Sequence, residues 1–239
     1  VATEMYSAGI DRLTHQPLSF SVSETTEGVH IHIIDAELMG KGEKEKKDLY
    51  IEGVQNNGII NHYEYIINSE GTIEIRHVLK PEGKMPLWFP RIGLTLTVSD
   101  ALDQVKWYGR GPQENYPDRK TGYPMGIYAS TVQAMYEPYL MPQDYGLRTD
   151  VRWLQLTTDK GIGLQFKMNE WFNFNIYPYS TDNLTKAMYT YQLQKQKGMT
   201  LNLDYATTGV GCTARGVFGA YKAMPQEYRR TISIKPMMK

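Results

Sequence analysis

A chain of 239 residues with a single cysteine, Cys212, can form no disulfide within itself and offers no cysteine-based zinc site. Charge of one sign is missing too. Lysine plus arginine number 26 and aspartate plus glutamate 26, so no uniform field gathers nucleic acid or an anionic membrane surface. No apolar run approaches the ~18 residues of a membrane-spanning helix, and no basic-then-apolar leader opens the chain. Because Val1 stands where a methionine would begin a gene product, the chain is expected to be a processed or excised piece of a longer polypeptide. Long amphipathic helical patterns, internal repeats and low-complexity segments are absent as well.

The usual signatures of self-sufficient catalysis are also lacking. There is no Gly-x-Ser-x-Gly elbow and no phosphate-cradling loop, and Gly109-Arg-Gly111 and Gly209-Val-Gly211 are too short for a dinucleotide fingerprint. Glu114 and Asp118 are separated by four positions, but Pro112 and Pro117 prevent a regular helix between them. Glycoside hydrolysis needs two carboxyl groups about 5–5.5 Å apart for retention or ~6.5–9.5 Å apart for inversion, and no such pair is legible. His30 and His32 share a strand face, yet no third histidine or carboxylate stands at a supporting spacing, so no metal site is expected.

What the chain has in excess is aromatic surface: 18 Tyr, 4 Trp and 6 Phe. Tyrosine and tryptophan combine a flat apolar face with a polar edge, which suits β sheets and equally suits sugars, whose C–H faces stack on rings while their hydroxyls need hydrogen bonds. Apolar–polar alternation predicts strands over 18–23, 29–34, 59–67, 72–79, 92–98 and 104–108. It resumes over 148–158, 161–168, 171–177, 199–205 and 227–234. Asn68-Ser-Glu-Gly71 reads as a hairpin turn, 109–125 as a loop rich in glycine and proline, 41–47 as a solvated charge run, and 180–188 as one or two helical turns. The expected architecture is one all-β domain over residues 1–239, two packed antiparallel sheets with long functional loops.

Several runs resemble one family. Pro90-Arg-Ile-Gly93 and Trp107-Tyr-Gly-Arg-Gly-Pro-Gln-Glu-Asn-Tyr-Pro-Asp-Arg-Lys120 are followed by Tyr139-Leu-Met-Pro-Gln-Asp-Tyr-Gly-Leu-Arg-Thr-Asp-Val-Arg-Trp153. Phe174-Asn-Ile-Tyr-Pro-Tyr-Ser180, Leu203-Asp-Tyr205, Gly209-Val-Gly211 and the opening Ala8-Gly-Ile-Asp-Arg-Leu13 continue the match. Together they resemble the small-chain (C-terminal, fifth) domain of bacterial β-galactosidases of glycoside hydrolase family 2. The resemblance implies a large antiparallel β supersandwich of the galactose-mutarotase type. It implies retaining hydrolysis of terminal β-galactosides by two glutamates on a TIM barrel outside this chain, with this domain covering the barrel mouth and lending a loop to the galactose pocket. Any Mg²⁺ or Na⁺ would be held in other domains, and no cofactor is expected here. The partners implied are the barrel and the galactoside, in bacterial cytoplasm or periplasm. A family segment expected before Val1 is missing, which would remove one or two first strands and leave an unpaired edge open to self-association. The family's loop tryptophan falls on Gly216, and its His-x-His segment is here Tyr189-Thr-Tyr191.

The candidate pocket residues follow. Glu114 and Asn115 lie on the 109–120 loop, where Asp118 and Arg119 are suited to holding the loop by charge-assisted bonds and the whole segment has a purely structural alternative. Tyr145, Arg148 and Asp150 occupy the next loop, with Arg148 equally suited to a carboxylate of its own domain. Asn173 and Asn175 alternate with Phe172 and Phe174 on one strand face. Gly209 and Gly211 allow close backbone approach, and Arg215 or Phe218 would take over the missing stacking contact. Two other classes fit the composition: a free-standing carbohydrate-binding module using the face around Asn173 and Asn175, and an aldose mutarotase. The second would need a carboxylate and a histidine in one cleft, and all five histidines lie within the first 77 residues.

Overall fold

The alternating stretches do become strands, and almost nothing else forms. The structure, a computed structural model, describes residues 9–39, 57–211 and 216–238; the 41–47 charge run, Cys212 and Arg215 lie outside them. Eleven antiparallel strands are present among the described residues: β1 (Thr14–Thr25), β2 (Gly28–Leu38), β3 (Gly58–Ile67), β4 (Ile73–Glu82), β5 (Arg91–Val98), β6 (Gln104–Arg110), β7 (Met125–Thr131), β8 (Arg148–Thr157), β9 (Gly163–Tyr177), β10 (Met199–Thr207) and β11 (Tyr228–Met237). Their hydrogen-bonded order is β1-β2-β3-β4-β11-β9-β8-β6-β7, with β10 joined to β9 and β5. One short helix, α1 (Thr181–Lys186), is capped by the Ser180 side chain, which accepts from the Asn183 N–H. It falls within the predicted 180–188 turns. The 68–71 turn forms as expected, closed by the Gly71 N–H donating to the Asn68 carbonyl.

Three expectations change. The strands read separately over 161–168 and 171–177 are one continuous β9. The polar pair Asn169-Glu170 interrupts the apolar alternation because the neighbour changes there: β9 pairs with β11 up to Met168 and with β10 from Asn173 onward. Asn169 covers the junction, its Oδ1 accepting from the Thr231 N–H at 3.0 Å. The two walls of the sandwich are therefore not separate sheets but share β9. Second, Met125–Thr131 is a strand, β7, that the loop reading ran into and stopped short of. Third, β1 is not half-buried; Phe20 is 69% and Val22 53% exposed. It pairs only with β2 and forms one end of the strand order, so its apolar residues have no layer against them among the described residues.

One core fills the sandwich. Trp107, Leu154, Leu156, Phe172, Phe174 and Leu203 are each at most 1% exposed and belong to a cluster that also takes side chains from β3, β4, β5 and β11. A smaller cluster of Tyr145, Tyr177 and Leu184 sits under the loop between β7 and β8. It covers the second face of β9, which is why Asn175 and Tyr177 are buried although they alternate with the core phenylalanines.

Candidate functional site

Three connecting segments meet at one end of the sheet: 111–124, 132–147, and the stretch 208–223 of which 212–215 are undescribed. The first is tied to the second by the Asn115 N–H, which donates to the Leu147 carbonyl at 2.8 Å, and by Glu114. Buried Glu114 accepts from the Arg119 guanidinium at 2.7 Å, the Gly146 N–H at 2.9 Å, the Tyr116 hydroxyl at 3.2 Å and the Tyr139 hydroxyl. Burial alone would raise its carboxyl, but the Tyr139, Gly146 and Arg119 donors outweigh that and hold it below the usual glutamate range.

Asp118 ties the first segment to the third. Its two carboxylate oxygens accept from the consecutive N–H groups of Val210 at 3.0 Å and Gly211 at 2.7 Å. The contact requires glycine. A Cβ on Gly209 would lie 2.3 Å from the Asp118 carboxyl carbon, and Gly211 has φ of 69°. The role expected of Asp118 thus extends to a second loop, and Arg119 braces Glu114.

Asp150 is placed by a break in β8. The ladder to β9 shifts register on either side of Val151, and Asp150 takes φ of 56°, the left-handed region that non-glycine residues enter at a cost of about 1–3 kcal/mol. Its carboxylate accepts from Arg110 Nε at 2.5 Å and Lys120 Nζ at 2.8 Å. Burial pushes this carboxyl up, and the two cations more than reverse it, so it stays ionised below the ordinary aspartate range. Beside it opens a cavity of about 550 Å³ lined by Lys120, Asn173, Trp171, Tyr205, Tyr221 and Arg230 among others.

Of the residues expected at a pocket, Asp150 and Asn173 line this cavity and the other described ones do not. Asn173 lines the cavity, its Oδ1 accepting from the Asp150 N–H and its Nδ2 donating to the Thr207 hydroxyl. Asn115 is fully buried, accepting from the Thr149 N–H and hydroxyl. Asn175 is also fully buried; its Nδ2 donates to Asp144 and the Tyr145 carbonyl, and its Oδ1 accepts from Asn202. Tyr145 packs on Tyr136 and Tyr177. Arg148 lies over the Trp107 ring and donates to the Gly146 carbonyl at 2.8 Å; burial lowers it to about 10, and among the described residues it makes no ion pair. Phe218 is 69% exposed. Trp171 and Tyr205, absent from the candidates, line the cavity. Trp171 was within reach of the alternation rule, being two residues before Asn173 on the same face.

Behind Tyr205 runs a buried polar chain. The Asp35 carboxylate only accepts, so the Asn61 amide donates to it at 2.9 Å and turns its carbonyl to His77 Nε2 at 3.1 Å. His77 Nδ1 then accepts from the Tyr205 hydroxyl at 2.7 Å. Burial lowers His77 to about 4, with Asp35 acting partly against it. The unfolded chain therefore binds this proton at higher pH than the folded one. The resulting stabilisation is complete above about pH 6.5 and is lost as pH falls towards 4, up to about 3 kcal/mol. Asp204, pushed up to about 6 by burial against the pull of Arg91, tilts the opposite way in that window. Denaturant melts of His77→Gln and wild type at pH 7 and 4.5 isolate the histidine: the difference between the proteins is expected to shrink in acid. A constant difference would contradict the assignment.

The carboxylates lining the cavity are not arranged for acid–base cleavage. Two carboxylates line it, but Asp150 is held by two cations and Glu170 pairs with Arg230 at 3.0 Å. A glycosidase acid needs a raised carboxyl, and Asp150 is shifted the other way. The same neutralised carboxylate does not fit Mg²⁺. Elsewhere, the expectation that His30 and His32 lack a third donor is corrected by the strand register, which sets Glu64 of β3 opposite His32.

A family model described as the beta galactosidase small chain matches residues 6–234. A β-galactosidase of Priestia megaterium is 38% identical over 147 residues, 62% of this chain and 14% of that protein. One from Vibrio cholerae is 31% identical over 207 residues, 86% of this chain and 18% of that protein. One from Pseudoalteromonas haloplanktis is 34% identical over 148 residues, covering 62% and 14%. The chain thus spans less than a fifth of the length of these relatives.

Proposed function

The chain belongs to the β-galactosidase small-chain family, and on that premise we propose that it completes the galactoside pocket of a parent β-galactosidase while the hydrolytic glutamates reside on a TIM barrel outside these residues. The observation that carries this reading is the Asp118 clamp, which fixes the Gly209–Gly211 backbone against the 111–124 loop beside the cavity. Fixed loops with small residues suit close approach to another surface. Glu114, Asn115, Tyr145, Arg148 and Asn175 hold the wall in position. Asn173, Gly209, Gly211, Arg215 and Phe218 are the residues we assign to the pocket or the barrel. Tyr189 and Tyr191, stacked with ring centroids 5.4 Å apart and both exposed, offer a flat platform where the family carries histidines. Any Mg²⁺ or Na⁺ requirement belongs to the rest of the enzyme.

The 239-residue chain alone is expected to leave a chromogenic β-galactoside intact. Turnover that follows the purified chain and vanishes with Asp150→Asn would refute the assignment. Calorimetry with galactose and lactose separates the carbohydrate-binding module, which would bind at micromolar to low-millimolar concentration, from a pocket completed only by the barrel. The exposed β1 edge is the route by which isolated copies would pair. Sedimentation at rising concentration should show association, weakened by Val22→Lys; a concentration-independent monomer would dismiss it.

A further inference from the structure

We propose that His30, His32 and Glu64 form a binding site for a divalent transition metal of the Zn²⁺ type, clipping β2 to β3. Residues two apart on a strand point the same way, so His30 and His32 share a face. The antiparallel register places Glu64 directly opposite His32. One ligand atom from each of the three comes within 4.8 Å of the others. Ligand distances of about 2.0–2.2 Å for zinc call for a closer approach, which side-chain rotation can supply on a surface that leaves His32 exposed. Two imidazoles and a carboxylate are a donor set for zinc and its first-row neighbours rather than for Mg²⁺ or Ca²⁺.

The surroundings divide the donors suitably. Glu64 Oε1 lies 3.6 Å from His30 Nδ1, while Oε2 accepts from the Arg76 guanidinium at 3.1 Å. Arg76 thereby orients the carboxylate and leaves Oε1 for the ion, the task an outer partner performs in metal sites. His30 Nε2 is buried and has no hydrogen-bond partner among the described residues. With the metal on Nδ1, this nitrogen carries the proton, and the Glu27 carboxylate 4.0 Å away is the acceptor within reach. Tyr63 and Tyr65 on the opposite face of β3 pack on the core, so the strands carrying the donors are held in register independently of any ion.

Isothermal titration of the metal-free 239-residue chain with ZnCl₂ tests the site. One zinc per chain at micromolar affinity is expected, weakened at least about tenfold by His32→Gln and by Glu64→Gln. His62→Gln, exposed on the same strand face but outside the cluster, should bind as wild type does. Zinc at about a hundredfold excess over the wild-type Kd should raise the wild-type Tm by roughly 5 °C or more, and the Tm of His32→Gln by no more than about half as much. His32 is exposed, so the metal-free Tm of His32→Gln should match wild type, whereas Glu64→Gln also weakens the Arg76 ion pair and is read on zinc affinity alone. Absence of saturable binding, retention of affinity in His32→Gln and Glu64→Gln, or an equal loss in His62→Gln would each overturn the proposal.

Discussion

Arg91→Met is expected to cost about 3–5 kcal/mol of folding stability, the range for removing one partner of a buried ion pair. Arg91 Nη2 lies 3.0 Å from Asp204 Oδ2, and Asp204 is 1% exposed. The same guanidinium reaches Asp144 at 3.4 Å and Asn175 at 3.3 Å, so one side chain joins the end of β5 to β9, β10 and the loop between β7 and β8. Without it, burial acts on Asp204 unopposed by its main counter-charge, and the carboxyl rises further. A group raised in the folded state stabilises below its unfolded value and loses that contribution as pH climbs. The damage should therefore be greater at pH 8 than at pH 5. Arg91→Met combined with Asp204→Asn should recover most of the loss, since an amide carries no charge to desolvate. Urea melts of the single and double variants at both pH values decide the matter. A single variant within about 1 kcal/mol of wild type would show that the pair is better solvated than its burial implies.

Asp118→Ala is expected to act on the assembled enzyme more than on the fold. It removes two charge-assisted hydrogen bonds, each worth about 1.5–3 kcal/mol at most, from consecutive N–H groups of the 208–211 segment. Neither Gly209 nor Gly211 contributes a side chain to hold that segment, so its position should drift. Misplacement by ~1 Å near reacting groups can lower turnover ~100-fold. In the complete β-galactosidase we expect kcat/KM to fall by that order. The Val210 and Gly211 amides should exchange with solvent faster by at least about tenfold, while the core strands stay protected. Asp118→Asn, which keeps one acceptor oxygen, should fall between. Unchanged kinetics with accelerated exchange would mean that the segment lies outside the pocket; unchanged exchange would mean that other contacts hold it.

The elements legible in the sequence were those whose signal is local. Alternation over 29–34 and 59–67, the Asn68–Gly71 turn and the helical turns within 180–188 each depend on neighbours within a few positions, and each appears in the structure. The misreadings share a cause. Asn169-Glu170 looks like the end of a strand because its neighbours change there, and a change of partner is invisible along one chain. Asn175 alternates with core residues as an outward residue should, yet the 132–147 loop roofs it over. Glu64 stands 32 positions from His32 and His77 stands 128 from Tyr205, separations that no spacing rule addresses. Glu114 and Asn115 were legible only as polar residues of the 109–120 loop suited to reaching a ligand or the barrel. Their bracing role became evident only with Gly146 and Thr149 beside them.

The place of β11 has a consequence for synthesis. The last strand lies between β4 and β9, hydrogen-bonded to both, although it comes from residues 228–237. A ribosome must therefore finish nearly all of this segment before the sheet can be joined across its middle. Until then, β4 lacks the neighbour it has in the finished sheet, about 150 residues downstream, and such long-range closure slows assembly. Chaperones that shield open ribbons would matter most during that interval.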